Sequence, residues 1–344
     1  MKYVNETSIE NVENIIEKLG LSMTSYVLVL ILNLVIVGVG LVGNIFVLYS
    51  SLKHKAIKVD KISLLLLEAL TMSDIAIITL YFSPMLITLC GKKWVLGLGV
   101  CFVTGLLSEV PFYFQIMVKT IVSCYRLRVC MSNISLRGTG IGKIFLVKMG
   151  ILALLVPSLA PAIVFLAHKS NSVFIPQILR CMSAHYSKVN GNSKAYKHIT
   201  MLTATFIAIP TVIILVSNIS IWVTVKKSHN RSRRGSNNST KNNQGRDRRM
   251  DKTALMLTLI CCTFVLCYIP TFIKFILYNM GYETSLFMYL FHSYALSLNS
   301  IVNPFIYLIT NEHFRSFVKD FFQNIANEIT SNSSDEIVHS TPAK

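Results

Sequence analysis

Apolar residues along this chain gather into seven long blocks, and each gap between them holds turn residues or charge. Residues 20–52, 201–225 and 254–273 carry no formally charged side chain. The other blocks are 62–90, 98–129, 144–167 and 285–310; isolated charges (Glu68, Asp74, Glu109, Lys119, Lys148) interrupt the first three. Every block reaches the roughly 20 residues that a helix rising ~1.5 Å per residue needs to cross hydrocarbon. The pattern predicts an all-α membrane protein, a seven-transmembrane helix bundle spanning about 25–52, 62–90, 98–129, 144–167, 199–225, 253–280 and 285–310. A short amphipathic helix on the membrane surface is predicted over 311–323. Residues 1–24 are polar and acidic and read as an outer tail. The segment 226–252, rich in Asn, Ser, Gly and Arg, reads as a flexible cytoplasmic loop, and 324–344 as a disordered cytoplasmic tail.

Charge orients the bundle. The first 24 residues hold no short apolar core before a small-residue cleavage site, so the first span is expected to insert the chain itself. Lys53, Lys55, Lys58 and Lys61 follow that span, which puts this loop in the cytoplasm and the N-terminus outside, as in a multi-pass plasma-membrane protein. Of the 33 Lys and Arg, 21 then fall in inner segments, counting Arg126 and Arg128 at the inner end of the third span, nine in outer ones and three deeper within spans. The chain is 53% hydrophobic and 14% charged, too few charges to cover a soluble domain. Its net +17 is mostly cytoplasmic and flanks spans, so the lipid bilayer is the expected partner and nucleic acid is not.

Six of the eight cysteines lie in or near spans, as small packing residues do. Cys101 and Cys181 both fall on the oxidising outer side, where a bridge is expected; Cys90 is a competing partner. Asn5 opens a glycosylation sequon on the outer tail, whereas the sequons at Asn133 and Asn238 lie on the inner side. Catalytic signatures are missing: the sequence has no G-x-x-x-x-G-K-[ST], C-x-x-C, H-E-x-x-H or G-x-S-x-G. No enzyme activity and no resident metal are expected.

An ordered set of motifs resembles the rhodopsin-like family of G-protein-coupled receptors over about residues 25 to 323. GNIFVL places Asn44 at the family asparagine of the first span, and LTMSD places Asp74 at the buried aspartate of the second. Trp94 and Gly97, then Cys101, match the first outer loop and its disulfide cysteine. Pro210, Pro270 in CYIP, and Asn303, Pro304 and Tyr307 in NPFIY match the fifth, sixth and seventh spans. The resemblance implies ligand-driven activation of a heterotrimeric G protein, with arrestin and receptor kinases acting at the tail. It implies a sodium site at Asp74 with Gln115, Asn299, Ser300 and Asn303 nearby. It assigns Ile116, Pro210 and Phe264 to a packing cluster that, with Tyr268 and Pro270, couples ligand pocket to hinge. Prolines within spans also stand on physics alone, since each removes a helix hydrogen bond and leaves a bend.

Two departures stand out. Arg126 matches the arginine that meets the G protein, but Tyr125 replaces the acid before it, which leaves Asp251 as the expected counter-ion. Lys119 sits where the family has an aliphatic residue, one turn below Gln115. Two readings of it stand: its ammonium pairs with Asp74 and replaces sodium, or it snorkels towards water at the inner cavity. A similar argument leads to the weaker expectation that Glu68 pairs with Lys148 across the second and fourth spans.

Carry-over from the family names Ser108, Glu109, Phe112, Phe206, Phe272, Phe275, Tyr289 and His292 as ligand-pocket candidates. Ser108 replaces the aspartate of amine receptors, and Ser297 replaces the lysine of light-sensing ones. The long outer loop carries Lys169, Arg180, Lys188, Lys194 and Lys197 without an acid, which suits an anionic ligand or acidic peptide, although Glu6, Glu10, Glu13 and Glu17 of the tail can neutralise it. Alongside the G-protein receptor stands a second reading, a receptor-like decoy or scaffold that binds without signalling, which Tyr125 and Lys119 suggest.

Overall fold

The structure, a computed structural model, describes residues 23–53, 61–92, 94–131, 149–150, 172–175, 180–183, 193–234, 241–280, 282 and 286–339. Helix α1 is Met23–Lys53. Helix α2, Lys61–Ile77, runs through a π-helical turn, Ile78–Phe82, into α3, Ser83–Gly91. The third span is α4, Gly97–Leu107, and α5, Val110–Met131, separated by a turn at Ser108 and Glu109. An antiparallel hairpin of β1, Ser172–Ile175, and β2, Arg180–Ser183, precedes α6, Ser193–Arg234. Helices α7, Lys241–Asn279, α8, Leu286–Thr310, and α9, Glu312–His339, complete the order. The predicted fourth span lies outside the described residues except for Met149 and Gly150.

Burial is inverted relative to a water-soluble protein. Leu28, Ile31, Leu34, Val42 and Ile45 of α1 point outward while Asn33 and Asn44 are fully buried. Hydrocarbon solvates such an apolar exterior at no cost, and it forces polar side chains to find partners inside. Met23–Leu52, Leu64–Gly91, Gly97–Arg128 and Thr205–Thr224 are long and apolar enough to cross a membrane, and Thr258–Lys274 is a shorter apolar stretch within α7.

Two boundaries differ from expectation. Helices α6 and α7 reach into the loop predicted flexible over 226–252, because Lys, Arg and Gln propagate a helix that already exists in the membrane. Helix α9 continues beyond 323 into the segment expected to be disordered. Its apolar face keeps helical spacing through Phe314, Val318, Phe321 and Ile325, a period that the Asn- and Ser-rich composition hides. The α9 face docks on α1, with the Phe46 ring 4.7 Å edge-on from Phe321 and 6.3 Å from Phe317.

Local chemistry sets how the helices meet. Pro84 has no N–H to give the fourth carbonyl back, and the Ser83 N–H instead reaches Ile78 O, the π spacing. Ser83 Oγ adds a bond to the same carbonyl at 3.1 Å. At Gly43 a Cβ would stand 3.0 Å from the Pro304 ring, so only glycine lets α1 and α8 approach this closely. Asn44 Nδ2 donates across that seam to Ser300 O at 3.0 Å. The main core packs Phe112, Ile116, Ile214, Phe264 and Tyr268, and a second one near α9 packs Val47, Ile260, Ile306, Tyr307 and Phe314.

Candidate functional site

At mid-bundle, α2, α5 and α8 bring together Asp74, Gln115, Lys119, Asn299 and Asn303, none more than 1% exposed. Asp74 accepts from Gln115 Nε2 on one carboxylate oxygen and from Asn303 Nδ2, at 2.7 Å, on the other. Gln115 Oε1 accepts from Asn299 Nδ2 at 2.6 Å, and Asn299 Oδ1 accepts from Lys119 Nζ at 2.7 Å. The two ends of this chain fix the sense of every bond in it. A carboxylate only accepts and an ammonium only donates, so each amide between them has one orientation. The expected direct contact of Lys119 with Asp74 is therefore corrected to one relayed through two amides. Gln115, one turn nearer Asp74 on the same helix, takes the carboxylate oxygen that the lysine was expected to reach. Snorkelling is overturned too, because the ammonium stays inside and lies 4.8 Å from the Phe264 ring centroid. Ser300, expected in the same group, lends its carbonyl to Asn44.

Towards α9, Tyr125 and Arg126 of α5 line a cleft with Leu67, Met256, Ile260, Tyr307 and Asn311. The Asp251 side chain lies outside the described residues, as does the Lys148 partner proposed for Glu68. Ile116, Phe264 and Tyr268 share the main core, with the Phe264 and Tyr268 rings 4.3 Å apart, and Pro210 is buried. Pro210, Pro270 and Pro304 sit inside α6, α7 and α8.

At the opposite end, Cys101 and Cys181 are bonded with Cα atoms 5.2 Å apart, while Cys90 is free. Trp94 packs under the bridge and donates from Nε1 to Gly97 O at 2.9 Å. Below it, Ser108 is buried in the turn between α4 and α5, Phe112 belongs to the core, and Phe272 packs against it. Glu109, Phe206 and His292 are half-buried, while Phe275 and Tyr289 have side chains outside the described residues, as is the whole of Asn5. Sequence reasoning missed Tyr81, whose hydroxyl shares a 2.9 Å hydrogen bond with Ser293 and whose ring stands edge-on to Phe112 at 5.4 Å. It also missed Asn33, which donates to the Tyr294 hydroxyl at 2.5 Å, and Thr271. The Ser83-Pro84 dipeptide was the available signal for Tyr81, since it marks a break in the helical period.

Comparison with protein families matches residues 43–307 to the family described as "7 transmembrane receptor (rhodopsin family)". Among solved structures, the crystal structure of squid rhodopsin superposes with a TM-score of 0.70 at 18% identity, covering 93% of each chain. That identity speaks for the fold alone. Comparison with curated protein sequences gives no significant match. The matched segment runs from the glycine of the first span to the tyrosine of the seventh and takes in Asp74, Arg126, Pro210, Pro270 and Pro304; the chain belongs to the rhodopsin family of seven-transmembrane receptors.

Proposed function

We propose that this chain is a plasma-membrane receptor, N-terminus and disulfide end outside, that binds an extracellular ligand and drives nucleotide exchange on a heterotrimeric G protein. The cleft at the α9 end carries the reading. It holds Arg126 of α5 against α7 and α8, the helices whose prolines leave bends above it. Swinging α7 about Pro270 would open that cleft to a partner helix. The segment after residue 323 is where arrestin and receptor kinases would act.

Chemistry at the disulfide end favours a neutral ligand. The hydroxyls of Ser108, Tyr268 and Thr271 are buried without a hydrogen-bond partner among the described residues, and Tyr268 packs in one core with Phe112 and Phe272. A ligand drawn to these groups would be an aromatic molecule with neutral polar groups. Ser297, fully buried with its hydroxyl on Tyr294 O at 2.7 Å, offers no amine for a Schiff base with retinal.

The test is ligand-free activation of a panel of G proteins in cells. Basal signal that disappears with Arg126→Ala at unchanged surface level supports the reading and names the transducer. Basal signal that survives Arg126→Ala removes the arginine from the coupling surface. Tyr125, standing in the cleft in place of the acid, favours a second reading in which the protein binds without signalling. Surface protein that binds ligand yet activates no member of the panel would decide for it.

A further inference from the structure

We infer that Lys119 is the resident cation of this receptor: its ammonium is the counter-ion of Asp74 through the Gln115 and Asn299 amides and takes the place of the sodium that the family resemblance implies. The donor set does not fit a second cation. A hard cation needs several oxygens turned towards it. Here both Asp74 oxygens, Gln115 Oε1 and Asn299 Oδ1 already accept N–H groups. Each of these oxygens keeps a second lone pair, but the N–H groups already in place draw off its charge and crowd it, and Asn303 Oδ1, left without a partner among the described residues, is neutral.

Charge decides as well. Asp74 and Lys119 sum to zero inside a group of side chains no more than 1% exposed. A sodium ion added there would leave one uncompensated positive charge away from water, beside an ammonium that cannot retreat. The Phe264 ring 4.8 Å from Nζ closes the remaining side with the negative face of an aromatic ring. Lys119 thus does with a covalent stem what an exchangeable ion would do, and occupancy no longer depends on salt. The inference rests on the bundle geometry and not on coupling to a G protein, so its test reads stability.

The full chain in nanodiscs is melted while sodium chloride replaces choline chloride at constant ionic strength. The wild type is expected to melt at one temperature throughout. Lys119→Met, which frees the carboxylate group, is expected to melt lower in choline and to gain a saturable rise with sodium. A saturable, sodium-specific rise in the wild type overturns the inference, and so does folded Lys119→Met that ignores sodium. Should Lys119→Met not fold, Asp74→Asn/Lys119→Met decides. Recovery of folded protein in the double variant shows that the two charges balance each other; no recovery overturns the inference.

Discussion

Gln115 carries two hydrogen bonds of opposite sense, and Gln115→Leu would break both. Asp74 would lose one donor and the Asn299 amide its acceptor, each loss costing about 1–3 kcal/mol in a buried site. The variant is expected to melt well below the wild type in sodium and choline alike, since the ammonium remains. Glycines offer a sharper contrast. Gly43→Ala would press a methyl onto the Pro304 ring at 3.0 Å, and neither backbone can yield, so loss of stability is expected. Gly38→Ala meets nothing within 4 Å and should gain up to about 1 kcal/mol from helix propensity. Melting the two variants side by side tests the seam between α1 and α8. At this scale the identity of the buried group was legible: Asp74, Gln115, Lys119, Asn299 and Asn303 were all expected together. Their wiring was not legible. Which amide faces which charge depends on the relative heights of α5 and α8, and a single chain read along its length carries no height.

Among elements, the π turn at Ile78–Phe82 has the largest leverage. An α-helix advances about 100° per residue, so one extra residue in the turn rotates everything beyond it by that much. Tyr81, inside the turn, reaches Ser293. Pro84→Ala permits the regular helix and should uncouple the two residues. A double-mutant cycle of Tyr81→Phe and Ser293→Ala is expected to show about 1 kcal/mol of coupling in the wild type and none in the Pro84→Ala background. The α9 helix depends on Phe46, which meets three of its rings. Phe46→Ala should loosen α9 from α1, seen as faster proteolysis of α9 with little change in the mid-bundle melt. The π turn and the part of α9 beyond 323 escaped the sequence reading for a physical reason. Apolar periodicity assumes a constant 3.6-residue turn, which Ser83-Pro84 breaks, while the Asn- and Ser-rich composition after 323 hides Ile325, which continues the apolar face of the predicted helix.

For the whole molecule, the apolar blocks were legible because the bilayer imposes one length on every span, and among the described residues polar side chains such as Asn33, Asn44 and Asp74 face inward for the same reason. The disulfide works at this scale too. It ties β2 to α4 across 80 residues of sequence, a closure worth about 4 kcal/mol against the unfolded chain. Cys181→Ser is expected to lower both surface expression and melting temperature, and a reductant should bring the wild type to the same value. The tethered ammonium has a further consequence in the electric field of the cell. Carrying one elementary charge across a membrane is worth about 2.3 kcal/mol per 100 mV. A sodium ion entering or leaving mid-bundle does part of that work, but Lys119 is anchored by its stem and cannot travel along the field. Depolarisation of a clamped cell should therefore leave the wild-type receptor's output unchanged. Lys119→Met, by reopening the position to a mobile ion, should make the same receptor listen to voltage.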